Sequence, residues 1–199
     1  MDNNRQHLIS RAVWVEGLTI AWLGIEAIAS IWAGRSTGSI TLTALGVESA
    51  VGVGSAFVLL RSLNTALRRG QGLAKATEHS PARVASTILH ALTVYIVVAA
   101  LWSLFRRQGQ AYTPTGLVVA SLAIPILYWL SRRKSVLAQA LGSRALRADS
   151  DQTGTGGWLA GTAAVGLIVD YLGGGWWIDA VTSLTIAGFV AQEARDAWE

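Results

Sequence analysis

Long apolar segments alternate with short polar ones along most of this chain of 199 residues. A helix needs about 20 predominantly apolar residues to cross a hydrocarbon core of about 30 Å at about 1.5 Å per residue. Measured against that length, the pattern predicts one transmembrane domain over 1–199, with six spans. Their approximate bounds are 12–33, 39–61, 84–105, 113–131, 145–172 and 176–193. The expected fold class is therefore all-α, an integral membrane protein built as a bundle of six transmembrane helices.

Carboxylates interrupt several of these spans, most notably Glu48 in the second and Asp149 at the start of the fifth. A charged side chain at mid-membrane costs at least about 2.5–3.5 kcal/mol on insertion scales, so it usually faces the bundle interior and has a function. The fifth span has only a short apolar part, 158–172, and its polar beginning, 143–157, is expected to lie inside the bundle.

The basic residues indicate the orientation of the bundle. Most of the sixteen Lys and Arg lie near the N-terminus, in the 62–83 loop, in the 132–147 region and near the C-terminus. The opposite side carries only Arg35, Arg106 and Arg107. Because cytoplasmic loops are enriched in basic residues, both termini are predicted to be cytoplasmic, and the expected location is a cell inner membrane, crossed several times. Short basic clusters between apolar spans do not indicate nucleic-acid binding.

The amino-acid composition limits the kinds of metal, cofactor and catalytic site that the chain can form. Hydrophobic residues make up 52% of the chain and charged residues 14%, fewer charges than a soluble domain carries. Cysteine is absent and there are three His, so thiolate metal sites are excluded and a His-rich cage is not expected. No nucleophile–base arrangement or phosphate-binding glycine spacing is present, so neither an enzyme nor a permanently bound cofactor is predicted.

Helical spacing places Gln152 on the same face as Asp149, one turn further along the fifth span. Together with Glu48 these residues offer three side-chain oxygen donors, the ligand type that hard cations prefer. The predicted metal site is therefore Glu48, Asp149 and Gln152. A structural hydrogen bond for Glu48, and pairing of Asp149 and Asp151 with Arg144 or Arg147, are the alternatives.

Two further carboxylates receive structural interpretations. Glu16 is expected at the membrane interface, and Asp179 is expected to cap the sixth helix, because carboxylates favour helix N-termini.

Four stretches resemble one family, the cation diffusion facilitators. SRALRADSDQTGTG (143–156) is similar to its fifth-helix motif, and GSITLTALGVESAVGVGSA (38–56) is similar to its second-helix motif. WWIDAVTSLTIAGFVAQEARDAW (176–198) resembles the sixth helix, and EGLTIAWLGIEAIASIWAG (16–34) resembles the first. The first-helix stretch also resembles the short bacterial branch of the family, which lacks the cytoplasmic C-terminal domain.

The resemblance implies a six-helix bundle, usually a homodimer, that exports divalent cations in exchange for protons. Its metal site would lie between the second and fifth helices, with Glu48 and Asp149 at ligand positions. Gly52, Gln152 and Gly156 depart from the carboxylate or histidine expected at their positions. Oxygen ligands alone favour Mg²⁺, Mn²⁺ or Fe²⁺ over Zn²⁺. The alternative function is a non-transporting relative, a membrane scaffold or partner-binding protein with a degenerate metal site.

Overall fold

A computed structural model describes residues 3–69, 79–107, 113–173 and 175–196. Six helices account for nearly all of these residues, and no strand occurs among them. They are α1 (Asn3–Thr37), α2 (Ile40–Arg69), α3 (His79–Arg106), α4 (Pro114–Leu141), α5 (Arg144–Tyr171) and α6 (Ile178–Asp196). The predicted order of helices is confirmed. The predicted loop over 62–83 is shorter than expected, because α2 continues through much of it; residues 70–78 lie outside the described residues.

Four helices are long and apolar enough to cross a membrane by themselves. They are Arg5–Thr37, Ile40–Arg68, Thr87–Arg106 and Pro114–Leu141. The polar beginning of α5 instead buries one face inside the bundle, where α5 contacts α4, α2 and α6. Leu146, Asp149, Ser150 and Thr153 lie on this buried face, whereas Arg144, Arg147 and Asp151 are exposed. Polar residues at membrane depth are tolerated when they lie against protein in this way. The fold is thus the expected all-α membrane bundle, while the bounds of individual spans stay predictions.

The first two helices approach each other closely at two glycines. A Cβ added to Gly34 would lie 2.5 Å from Thr43 Oγ1, and one added to Gly46 would lie 2.8 Å from the backbone nitrogen of Ile31. Both distances are shorter than real Cβ contacts, so larger residues would separate the helices. Small residues serve the same purpose at other contacts between membrane helices.

Helices α4 and α5 form a tight antiparallel hairpin. Gly142 ends α4 in the left-handed conformation, with a φ of 61°. Ser143 then caps α5, its hydroxyl accepting a hydrogen bond from the Leu146 amide at 3.3 Å. Farther along the pair, Ser131 and Ser150 each donate a hydroxyl hydrogen bond to the other's carbonyl, both at 2.9 Å. These contacts fix the register of α5 against α4.

Asp179 lies in the first turn of α6, but its carboxylate caps α2 instead. It accepts hydrogen bonds from the Ser39 hydroxyl at 2.8 Å and from the amides of Ile40 at 2.9 Å and Thr41 at 3.3 Å. The Thr41 hydroxyl donates to the Asp179 carbonyl at 3.2 Å. The prediction that Asp179 caps its own helix is therefore wrong. The first backbone N–H groups of α2 have no hydrogen-bond acceptor within their own helix, and the fold places the Asp179 carboxylate where it can accept from them.

Candidate cation site between the second and fifth helices

All three predicted ligands line one small cavity between α1, α2, α4 and α5. Its volume is about 10 Å³, about the room that one water molecule occupies. Its walls consist of Leu23, Glu48, Gly52, Ser55, Leu127, Asp149, Gln152, Thr153 and Gly156. The cavity therefore also contains both glycines that stand where the resemblance led us to expect ligands.

Glu48 approaches the cavity from α2 and is 4% exposed. A Cβ added to Gly156 of α5 would lie 3.8 Å from each Glu48 carboxylate oxygen, so the carboxylate faces this glycine across the helix interface. Glu26 of α1 and Glu193 of α6 are close enough to interact electrostatically with Glu48. Within the described residues, no basic side chain forms an ion pair with Glu48. Glu48 therefore has other carboxylates as electrostatic neighbours.

Asp149 approaches from α5 and pairs with a buried lysine. The ammonium of Lys134 donates hydrogen bonds to the Asp149 carboxylate and to Thr153 Oγ1, the latter at 3.1 Å. The same ammonium lies 3.1 Å from Glu16 Oε2, and the Lys134 and Glu16 side chains are both 0% exposed. Glu16, which was expected at the membrane interface, is thus enclosed within the helix bundle. One ammonium is shared by two carboxylates from different helices.

The expected arginine pairing holds for only one of the two aspartates. Asp151 lies 3.8 Å from Arg147 Nε, and both side chains are largely exposed. An exposed pair of this kind contributes little to stability. Asp149, in contrast, turns into the bundle, where its partner is Lys134.

Gln152 faces α2, where its side-chain oxygen accepts a hydrogen bond from the Ser55 hydroxyl at 3.0 Å. Ser55 Oγ also lies 3.1 Å from the Gly52 carbonyl, but a hydroxyl has one proton and can donate to only one of these acceptors at a time. Ser55 is a polar cavity residue that the sequence reasoning did not identify. The cavity oxygens thus come from carboxylates, an amide and hydroxyls, without nitrogen or sulfur ligands among the predicted set.

Lys134 is the most important residue that the sequence reasoning missed. It belongs to the run Arg132-Arg133-Lys134, which was assigned to a cytoplasmic region, but α4 continues to Leu141. The buried residues of this part of α4 follow alternating steps of three and four: Leu127, Leu130, Lys134, Leu137 and Leu141. That spacing is typical of one buried helix face, and it contains Lys134. This heptad-like spacing, which continues through the basic run, is the feature of the sequence that could have predicted a buried Lys134.

Glu26 and Ser30 extend the buried polar surface along α1. Both are 0% exposed, and within the described residues no hydrogen bond of standard geometry reaches the Glu26 carboxylate or the Ser30 hydroxyl. The Trp22 side chain is nevertheless close enough to interact with the Glu26 carboxylate. Buried polar atoms normally have a partner in the protein or in bound water. The two residues are one helical turn apart, so they share a face of α1.

The structure brings Glu48, Asp149 and Gln152 to one cavity without forming a dense metal cluster. Among the described residues, no group of three or more His, Cys, Asp or Glu is close enough to hold a metal ion. A cation here would take one carboxylate from each of two facing helices and complete its coordination with neutral oxygens. Oxygen donors of this type suit hard cations.

Comparison with known proteins gives the family. A search of curated proteins finds no match. Residues 18–197, however, match the family described as the cation efflux transmembrane domain. The match extends from within α1 to the end of α6 and includes every residue that lines the cavity. The chain belongs to the cation efflux family and is a multi-pass membrane protein of the metal cation transporter class.

Proposed function

We propose that this protein exports a divalent metal ion from the cytoplasm by alternating access, in exchange for protons. The ion would bind between α2 and α5, to Glu48, Asp149 and Gln152. The supporting observation is that Glu48, which is far in sequence from Asp149 and Gln152, lines the same cavity of about 10 Å³ as they do. The proposed orientation, with both termini in the cytoplasm of a cell whose inner membrane holds the protein, rests on the distribution of Lys and Arg.

The size and chemistry of the cavity bear on the choice of ion. Two ionised carboxylates, Glu48 and Asp149, supply the charge that neutralises one divalent ion. The cavity has room for about one water molecule, so a bound ion has to lose most of its hydration shell. Mg²⁺ dehydrates reluctantly and usually keeps several waters. Among the ions that oxygen ligands favour, Mn²⁺ and Fe²⁺ fit this cavity better than Mg²⁺, and Zn²⁺ lacks the nitrogen and sulfur ligands common in its sites.

Proton exchange is proposed to involve Glu48 and its carboxylate neighbours. Glu26 and Glu193 both lie within electrostatic range of Glu48. Carboxylates that interact in this way bind and release protons as a group. A divalent ion entering at Glu48 would release protons from this group, and departure of the ion would allow their return.

Transport of Mn²⁺ into proteoliposomes tests the proposal. Purified protein is reconstituted with a metal-sensitive dye inside the vesicles, and uptake is measured with and without an acidic interior. We expect uptake that the pH gradient accelerates, and a reduction of at least about tenfold in Glu48→Gln and in Asp149→Asn, since each loses a charged ligand. Asp151→Asn is the matched control, because it makes the same change on α5 at an exposed position.

Equal uptake by the wild type and a Glu48→Gln, Asp149→Asn double variant would contradict the proposed site. Uptake that depends on these residues but ignores the pH gradient would contradict proton exchange alone. The homodimer that the family resemblance implies is examined separately, by measuring the mass of the protein in detergent.

A specific observation favours one second candidate, a non-transporting scaffold or partner-binding protein. Asp149 already has a cation partner in Lys134, and glycines occupy two of the expected ligand positions. This candidate predicts that folded wild-type protein neither binds nor transports Mn²⁺, and that Glu48→Gln changes neither stability nor growth under metal load.

A further inference from the structure

Lys134 combines complete burial with contacts to three polar groups beside the candidate site. Lysine is almost never fully buried unless it is paired, because removing an ammonium from water carries a large free-energy penalty. Here it contacts Asp149 and Thr153 of α5, both of which line the cavity, and Glu16 of α1. The lysine therefore reaches one of the proposed ion ligands directly.

We propose that Lys134 is a tethered cation that competes with the transported divalent ion for Asp149. This inference rests on the proposed function, because it assigns Lys134 a role at the same site. In the empty site the ammonium holds Asp149, and in the ion-bound site it pairs with Glu16 instead. Lys134 does not bind the ion; it sets the affinity by occupying one of its ligands.

The position of Glu16 makes this exchange feasible. Glu16 Oε2 is already 3.1 Å from the lysine nitrogen, so the ammonium can give up Asp149 without losing its last anionic partner. An unpaired buried ammonium would be too costly for such a step. Since Glu16 lies on α1 and Asp149 on α5, a small movement of the Lys134 side chain would exchange a carboxylate partner on α5 for one on α1.

The charges also favour competition over simultaneous binding. A divalent ion that shares Asp149 with the ammonium would be repelled by it at short range in a poorly solvated site. With the ammonium on Asp149, Glu48 is the only proposed charged ligand that remains for an ion. The lysine thereby weakens ion binding and assists ion release, because it replaces the departing ion at Asp149.

Calorimetric titration of Mn²⁺ into detergent-purified protein tests this role through the direction of the affinity changes. Lys134→Gln removes the competitor, so we expect the Kd to fall by at least about tenfold. Glu16→Gln removes the alternative partner and should raise the Kd, because the ammonium then has only Asp149. Lys134→Arg keeps the charge and should remain near the wild-type Kd. Arg147→Gln removes an exposed charge from α5 and is the matched control, with no change expected.

The proteoliposome assay gives a second readout. In Lys134→Gln, the KM for Mn²⁺ should fall together with kcat, since tighter binding slows release. A merely structural role for Lys134 predicts weaker binding in both Lys134→Gln and Glu16→Gln. If Lys134→Gln does not fold, the Glu16→Gln, Lys134→Gln double variant replaces it: one charge of each sign is removed, and the Kd should still fall below that of the wild type.

The outcomes separate this inference from the proposed function. Wild-type binding that Lys134→Gln and the double variant leave unchanged or weaken would overturn the role of Lys134 and leave the proposed function standing. Binding in Lys134→Gln without measurable binding in the wild type supports the inference. If neither the wild type nor any of these folded variants binds Mn²⁺, both the proposed function and this inference are overturned.

Discussion

The two walls of the cavity carry similar carboxylates in opposite electrostatic settings. Asp149, on the α5 wall, shares the buried ammonium of Lys134 with Glu16. Glu48, on the α2 wall, is equally enclosed but interacts with two other carboxylates, Glu26 and Glu193. The carboxylate on one wall has a cation as its partner, and the carboxylate on the other wall has further carboxylates as electrostatic neighbours.

This difference predicts that the two proposed ligands are not interchangeable. Asp149 already has an internal partner in Lys134, whereas Glu48 would gain a partner when a cation or proton binds. Removing one member of a buried ion pair is costly because it leaves the other charge uncompensated. Replacing a buried carboxylate that lacks a basic partner with a neutral group removes the free-energy penalty of keeping that charge away from water. The comparison can therefore be tested by stability measurements alone, in the absence of metal.

The largest expected effect follows substitution of Lys134. Lys134→Met keeps an unbranched apolar stem but leaves Glu16 and Asp149 buried without a cation, so we expect a loss of about 3–5 kcal/mol in the free energy of unfolding. Denaturation of the detergent-purified protein measures it. Arg147→Met, which breaks an exposed pair, should cost under about 1 kcal/mol. Equal losses in both variants would show that Lys134 is not paired inside the bundle.

An intermediate effect is expected when the same chemical change is made on the two walls. Asp149→Asn should destabilise the protein by about 1–3 kcal/mol, since the buried ammonium loses a charged hydrogen-bond acceptor. Glu48→Gln should leave the metal-free protein equally stable or slightly more stable. Thermal unfolding of both variants without divalent ions makes the comparison. Destabilisation of similar size in both would mean that the walls do not differ as described.

The smallest effect concerns Gly156. A Cβ there would lie 3.5 Å from Leu127 Cδ1 and 3.8 Å from the Glu48 oxygens, which are ordinary contacts, so a side chain can begin at this position. Gly156→Asp would add a carboxylate opposite Glu48, and we expect the Kd for Mn²⁺ to fall by about tenfold, or ~1.4 kcal/mol. Gly156→Asn is the uncharged control. If both variants bind Mn²⁺ like the wild type, the ion does not lie between Glu48 and Gly156.

Much of the architecture could be predicted from the sequence, because apolar segments of membrane length identify helices and helical spacing identifies shared faces. The order of the six helices and the convergence of Glu48, Asp149 and Gln152 on one cavity agree with that reasoning. The resemblance to a known family supplied the pairing of the second helix with the fifth, which periodicity alone does not give.

The partners of buried charges were harder to predict, since they depend on contacts between distant helices. Arg147 and Asp151 are one turn apart, so their pairing follows from local geometry. Lys134 and Glu16 are far apart in sequence and meet only because α1 packs on α4. A basic run beside an apolar span was interpreted as a loop, although the spacing of leucines continued through it.

The bond network around Asp179 has a mechanical consequence. Four hydrogen bonds join this residue to the start of α2, and all lie at one end of the α2–α6 contact. Sliding these two helix starts past each other would break all four together, whereas tilting about them would break none. The junction would therefore act as a pivot: a tilt of α2 against α6 would displace atoms least at Asp179 and more with increasing distance from it.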